Sequence, residues 1–291
     1  MATPPNAAQA ERWGGAGGCH WIEHEGAYDR QLEPFGVALL TGAALEPHER
    51  VLDVGCGTGT TALTAAATAD RVLGIDLSAV LVERARAPAE GRRNVEFQVA
   101  DAQTAQLPDP FDVVISRFGV MFFDDPPAAF ANLRRAVAPS GGRLAAVCWQ
   151  GLEHNDWMRV PAEALARVTP VGDLARRDQP GPFSLADPDA LRSVLTDSGW
   201  RDVTLDAVTT PVVLAAGGSL DEVVAIVRGG SLGRSALSGV PADVERRALD
   251  AVRDALAGFV GPDGLSLPGA AWLVRATVPA RARAGAADAA G

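Results

Sequence analysis

The chain reads as an α/β fold: a doubly wound, mostly parallel sheet with helices on both faces and helical lid insertions. Two observations carry this. Residues Val51 to Gly59, Val-Leu-Asp-Val-Gly-Cys-Gly-Thr-Gly, run from a short apolar stretch into a glycine turn, and Thr60 to Asp70 beyond it is an Ala- and Leu-rich helix. From His48 to Trp149, apolar strand-like runs alternate with helical stretches, the pattern of parallel strands joined by covering helices. A strand, tight turn and helix start direct backbone N–H groups outward, where they grip ligands. Gly55, Gly57 and Gly59 permit backbone angles and close approaches that a Cβ blocks.

The elements follow in order. Met1 to Gln9 is expected to be disordered and Gly14 to Gly18 flexible. Trp21 to Leu45 is expected as a helix broken near Pro34, with Leu32, Phe35, Leu39 and Leu40 on one face. After the first strand come apolar runs at Arg71 to Ser78, ending near Asp76, and Val95 to Ala102, ending at Asp101. Phe111 to Phe123 and Gly141 to Trp149 supply a fourth and a fifth strand. Between them, Asp124 to Val137 is a helix with Pro126 and Pro127 in its first turn.

Gly151 to Pro182 mixes a short helix, Pro161 to Arg167, with loop. Ser184 to Gly199 is a helix, with Asp187 as N-cap, Pro188 first and Gly199 as the stop. Asp202 to Leu214 is one long strand or two short ones. Ser219 to Arg228 and Pro241 to Phe259 are helices, Ala271 to Val278 a last strand, and Arg281 to Gly291 a loose tail. The organisation is therefore an N-terminal helical cap (1–46), a core (47–149), and lid segments with the remaining strands of the same domain (150–291).

Composition narrows the function. The 47% hydrophobic and 21% charged content is that of an ordinary globular protein. A net charge of −10 argues against a broad phosphate-binding surface, so no nucleic acid partner is expected. The sequence has no lysine, which removes Schiff-base chemistry and the P-loop lysine. Cys19, Cys56 and Cys148 are odd in number and widely spaced, so neither a zinc pattern nor a disulfide framework is expected. With no secretory leader and no membrane-length apolar run, a reducing cytoplasmic setting without a membrane partner is the expectation.

The turn departs from the G-x-G-x-x-G dinucleotide fingerprint: its third glycine comes one residue early, with Thr60 in the slot, and an acid sits inside the strand. Asp53 with the Gly-Cys-Gly-Thr-Gly turn, then Asp76 and Asp101 in order, instead resembles class I S-adenosylmethionine (SAM)-dependent methyltransferases. The resemblance implies a Rossmann-like sheet of seven strands, the last antiparallel, with Val203 to Leu214 and Ala271 to Val278 as the sixth and seventh. It also implies that Asp53, Gly55, Gly57 and Gly59 hold the amino-acid end of SAM. Asp76 and Leu77 would lie at the ribose, Asp101 and Ala102 at the adenine, and Arg117 would pair with a carboxylate of ligand or protein. Ser116-Arg-Phe-Gly-Val-Met-Phe-Phe with Asp-Asp-Pro after it, and Val147-Cys-Trp, are similar to a bacterial subset of the ubiquinone/menaquinone-methyltransferase-like group.

Methyl transfer asks mainly that two reactants be aligned away from water, so no catalytic motif is required. An acidic acceptor needs a base. His154, past the fifth strand, and Tyr28, the single tyrosine, are the candidates; His20 and His24, at helical spacing beside Glu23 and Glu25, leave a metal or acid–base pair open but read first as an exposed helix face, His48 reads as a surface loop, and no metal site is expected. Trp21, Phe118, Phe122, Trp149 and Trp157 are candidates for the substrate rim. The segment Ala215 to Gly269 is long for a plain connection and is expected to help roof the pocket. The function expected is methyl transfer from SAM, giving S-adenosylhomocysteine, to an O, N or C atom of a small, apolar metabolite of specialised metabolism. A SAM-binding enzyme of other chemistry (cyclisation, decarboxylation) and a peptide methyltransferase stay open, as does a homodimer.

Overall fold

Apolar runs without alternation form the centre of the sheet, because helices cover both faces. The computed structural model describes residues 4–107, 110–139, 141–215, 219–262 and 264–278. Its strands are β1 (Arg50–Val54), β2 (Arg71–Asp76), β3 (Val95–Val99), β4 (Val113–Arg117), β5 (Arg143–Trp149), β6 (Arg201–Ala215), β7 (Val260–Gly261) and β8 (Gly264–Thr277). The order is β3-β2-β1-β4-β5-β8-β6, with β7 paired to β8 off this path. Strands β1 to β5 are parallel, and β8 runs antiparallel to both β5 and β6. Strand order reverses between β1 and β4, and such a switch point opens a crevice at the carboxyl ends of the strands.

The helices are α1 (Ala7–Gly14), α2 (Ala16–Glu23), α3 (Glu25–Ala43), α4 (Thr60–Ala65), α5 (Ala79–Ala89), α6 (Pro126–Ala136), α7 (Asp156–Ala166), α8 (Pro188–Asp197), α9 (Leu220–Gly229), α10 (Ser231–Ala236) and α11 (Ala242–Ala257). Four expectations need correction. Residues 7–18 are helical rather than disordered or flexible, because Asn6 and Trp13 are tied into the body of the protein. α3 runs through Pro34 unbroken: Leu32, Phe35, Leu39 and Ala43 form a buried stripe that holds both halves, while Leu40 is only partly buried. α7 begins at Asp156, five residues before the predicted start, with Pro161 inside it. α10 was not foreseen. The tail from Arg281 lies outside the described residues.

The last two strands overhang the rest. β5 pairs with β8 only from Arg143↔Thr277 to Trp149↔Ala271, whereas the β6–β8 ladder continues to Ala215↔Leu265. Since β8 is reversed, the extra length projects past the carboxyl end of β5, on the crevice side. Pro211 sits opposite Pro268 in this two-stranded ribbon, where a missing donor is tolerated at an edge. α7, α9, α10 and α11 gather there around a second small core that includes Leu165, Val223, Val252, Leu256, Leu265 and Leu267. Hence the segment between the last strands is held above the switch point. Among the described residues, no helix is long and apolar enough to cross a membrane.

Candidate active site

The glycine turn after β1 forms the crevice floor. Gly57 has φ +55°, and a Cβ built there meets nothing within 4 Å, so the turn faces open space. A Cβ on Gly55 would lie 2.7 Å from the Gly119 Cα, which fixes how closely the turns after β1 and β4 approach. Ser116 secures that approach: its Oγ donates to the Val54 carbonyl at 2.8 Å and accepts the Gly119 N–H at 3.2 Å. Phe118 beside it has φ +66°, a conformation costing a non-glycine residue about 1–3 kcal/mol. The strain turns its ring onto Trp149, stacked at 4.1 Å.

Three carboxylates surround this turn. Asp76 lines the crevice and accepts the N–H groups of Gly57 and Ser78, each at 2.9 Å. Burial pushes its carboxyl above the usual range, against the pull of those N–H groups. Asp101 accepts from the Gln103 N–H, the Thr104 hydroxyl and the Asn6 amide. Asp53 lies under the floor at 1% exposure, with neither oxygen hydrogen-bonded. Burial raises its pKa to about 7; Arg117 and, more weakly, the backbone N–H of Ala62 oppose the rise, and Asp76 adds to it. Arg117 is tied to Asp29 at 3.3 Å, and Asp29 also accepts the Thr60 hydroxyl at 2.9 Å. This network joins α3 to the glycine turn and β4.

The crevice opens into a cavity of about 310 Å³, roofed by α1, α2 and α10. Two aromatic groups wall it. Trp21 stacks on Tyr28 at 4.2 Å, with Trp13 set edge-on to Trp21 and Phe122. Below, Phe118, Trp149 and Trp157 form a contiguous row. Burial pushes the Tyr28 hydroxyl up to about 12, against the field of Arg234, so it is a donor at neutral pH. His20 also lines the cavity, with its Nε2 buried and unbonded. Burial, His24 and Arg234 hold its pKa below the ordinary value, so the ring is neutral. Atoms of His20, Glu23 and His24 fit for ligation lie within 4.8 Å of one another.

The structure brings most of the sequence-predicted residues to this one cavity: Gly55, Gly57, Asp76, Leu77, Asp101, Ala102, Arg117, Trp21, Tyr28, Phe118, Phe122, Trp149 and Trp157 all line it. Asp53 and Gly59 stand behind the lining. The expectation for His154 needs correction: it sits on an exposed turn, 3.9 Å from Glu153 and outside the lining. The buried residue of that turn is Asn155, which sequence reasoning passed over. Its amide donates to the Gln150, Gly151 and Ala270 carbonyls, and its Oδ1 accepts from the Ala270 N–H and from the Trp157 indole at 3.0 Å. The signal was its place as N-cap before an acidic first turn. Asn6 was missed for want of any local signal. It bridges Asp101, Gln103 and Asp124, and so straps α1 across the crevice end.

Residues 51–141 match the sequence family described as a methyltransferase domain. An uncharacterized protein of Mycobacterium tuberculosis is 38% identical over 121 residues, 40% of this chain and 43% of that protein. Phosphoethanolamine N-methyltransferase 1 of Arabidopsis thaliana is 32% identical over 182 residues, 62% of this chain and 34% of the relative. The chain thus spans less than half the length of either relative. The crystal structure of the YcgJ protein from Bacillus subtilis shares the fold, with a TM-score of 0.54 at 21% identity, covering 84% of this chain and 97% of that one.

Proposed function

We infer, from the match of residues 51–141 to a methyltransferase domain, that the chain transfers a methyl group from SAM to an O, N or C atom of a small, largely apolar metabolite. One observation carries the reading. Three carboxylates gather at a glycine turn open to the crevice, and one of them, Asp53, is buried without a hydrogen bond. Negative charge that Arg117 offsets only in part, beside an open backbone cradle, fits a cationic nucleoside. When bound, SAM supplies a methyl group on a positive sulfur, open to in-line attack.

The chain's own residues have separable roles in this reading. Asp53 supplies a field favouring the positive amino-acid end, and Arg117 offers its guanidinium to that end's carboxylate. Asp76 accepts from ribose hydroxyls on the side left free by Gly57 and Ser78. Asp101 and Ala102 meet the adenine edge. The aromatic walls orient the acceptor and exclude water. His20, neutral and with a free Nε2, takes the proton when the acceptor is a hydroxyl, and the Tyr28 hydroxyl donates a hydrogen bond. The Ser116 to Phe123 segment supports a place in the ubiquinone/menaquinone-methyltransferase-like group, and three unpaired cysteines suit a reducing, cytoplasmic setting.

Incubation with methyl-labelled SAM and extract, read by mass spectrometry, tests the reading. Label on a small molecule with an equal amount of S-adenosylhomocysteine is expected. Label on a peptide displaces the metabolite acceptor, and turnover without S-adenosylhomocysteine displaces methyl transfer.

A further inference from the structure

The acids lining the cavity, Asp76 and Asp101, sit on the sheet edge with Arg117, whereas the roof brings basic groups, Arg12 on α1, His20 on α2 and Arg234 on α10. Three arginines line the cavity. Arg117 is paired with Asp29, but among the described residues no carboxylate forms an ion pair with Arg12 or Arg234. Arg234 is half-buried, and its Nη1 donates to the Gly229 carbonyl. Its Nη2 rests against α2 at Gly17, where an added Cβ would come within 3.5 Å. Its charge bears on both His20 and Tyr28, and Tyr28 is stacked face to face on Trp21. A guanidinium lining a cavity with aromatic walls, its fork not taken up by an acid, is matched by a planar carboxylate.

We propose that the acceptor is an aromatic carboxylate, its ring lying along the Trp21–Tyr28 wall and its acid group held by Arg234, with Arg12 at the mouth. The proposal rests on the methyltransferase reading for the word acceptor, not for the anion site itself. The two ends of the cavity then complement two opposite ligands: carboxylates for a cationic cofactor, guanidinium groups for an anionic substrate. Arg234 acts here as a specificity residue.

The test compares 2-naphthoate with its uncharged isostere 2-naphthamide, each titrated calorimetrically into the full chain with and without S-adenosylhomocysteine. The acid is expected to bind at least roughly tenfold tighter than the amide. Arg234→Gln should abolish that preference while leaving S-adenosylhomocysteine affinity unchanged, and Arg234→Lys should keep part of it. Equal affinities, no binding of the acid at millimolar concentration, or a preference that survives in Arg234→Gln overturns the proposal. Loss of nucleoside binding alone overturns the cofactor reading instead, because the titrations without it still report on Arg234.

Discussion

Asp53 carries a charge that the ligand-free fold offsets only in part, through Arg117 and the Ala62 N–H, and this has consequences in both stability and binding. Its folded pKa of about 7 lies above the ordinary 3.8, so the folded state holds the proton more tightly than the unfolded state does. The resulting penalty is absent below about pH 4, grows as pH rises, and is complete above about pH 7; Asp76, also raised, has the same sign. A shift of this size is worth roughly 4 kcal/mol, of which an unbonded buried amide gives back about 1–3. Asp53→Asn is therefore expected to stabilise the ligand-free protein by ~1–3 kcal/mol at pH 8 and to lose that advantage below pH 4, as measured by urea denaturation across pH. The same variant should bind S-adenosylhomocysteine more weakly. Asp76→Ala removes a charge-assisted hydrogen bond, so a loss of roughly 1.5–3 kcal/mol in nucleoside affinity is expected. Unchanged affinity in a folded variant would move the ribose elsewhere. Asp53 and Asp76 were legible in the sequence because each belongs to a local strand-and-turn pattern. His20 was noticed only for its spacing from His24; what makes it a cavity residue is α9 and α10, more than 200 positions away.

Elements that carry the site were legible where the signal is local and hidden where it is tertiary. The N-cap of α8 was read correctly from Asp187 and Pro188. The start of α7 was not: Pro161 drew attention as a helix start, whereas Asn155 anchors the true one through contacts to β8, 115 residues on. Asn155→Ala leaves the Trp157 indole and the Ala270 N–H without partners in a buried setting. It should cost about 2–4 kcal/mol in denaturant titration and loosen the Trp157 wall. Pro34 likewise misled, since the buried stripe of α3 on the sheet outweighs one missing hydrogen bond. The strap formed by Asn6 spans 118 residues to Asp124, and no local pattern announces it. Asn6→Ala is expected to raise hydrogen exchange in α1 and to speed nucleoside release, with little change in the exchange of β1 or β4. Equal protection of α1 in both proteins would show that Trp13 alone holds it.

At the scale of the whole molecule, two separate cores divide the labour. The sheet core fixes the crevice at the β1/β4 switch point, and the second core holds α7 and α9 to α11 over it on an extended β6–β8 ribbon. The alternating pattern of the first 150 residues made the parallel, doubly covered sheet readable, whereas the reversed last strand was implied only by the family resemblance. The ribbon was read only in part: β6 was expected over almost its full length, whereas the first half of β8, which carries Gly264, Pro268 and Gly269, gives a weak strand signal and fell to the connecting segment. Both cores meet at one cavity, so a ligand bound there should stabilise the entire chain by linkage: about 2.7 kcal/mol when present at a hundredfold excess over its dissociation constant. The central claim is that the acid-ringed glycine crevice binds a sulfonium nucleoside. Calorimetric titration of the full chain with S-adenosylhomocysteine tests it most directly. The expected result is one site per chain at roughly micromolar affinity, weakened in Asp76→Ala. No heat of binding at millimolar ligand, with the protein folded, would contradict it.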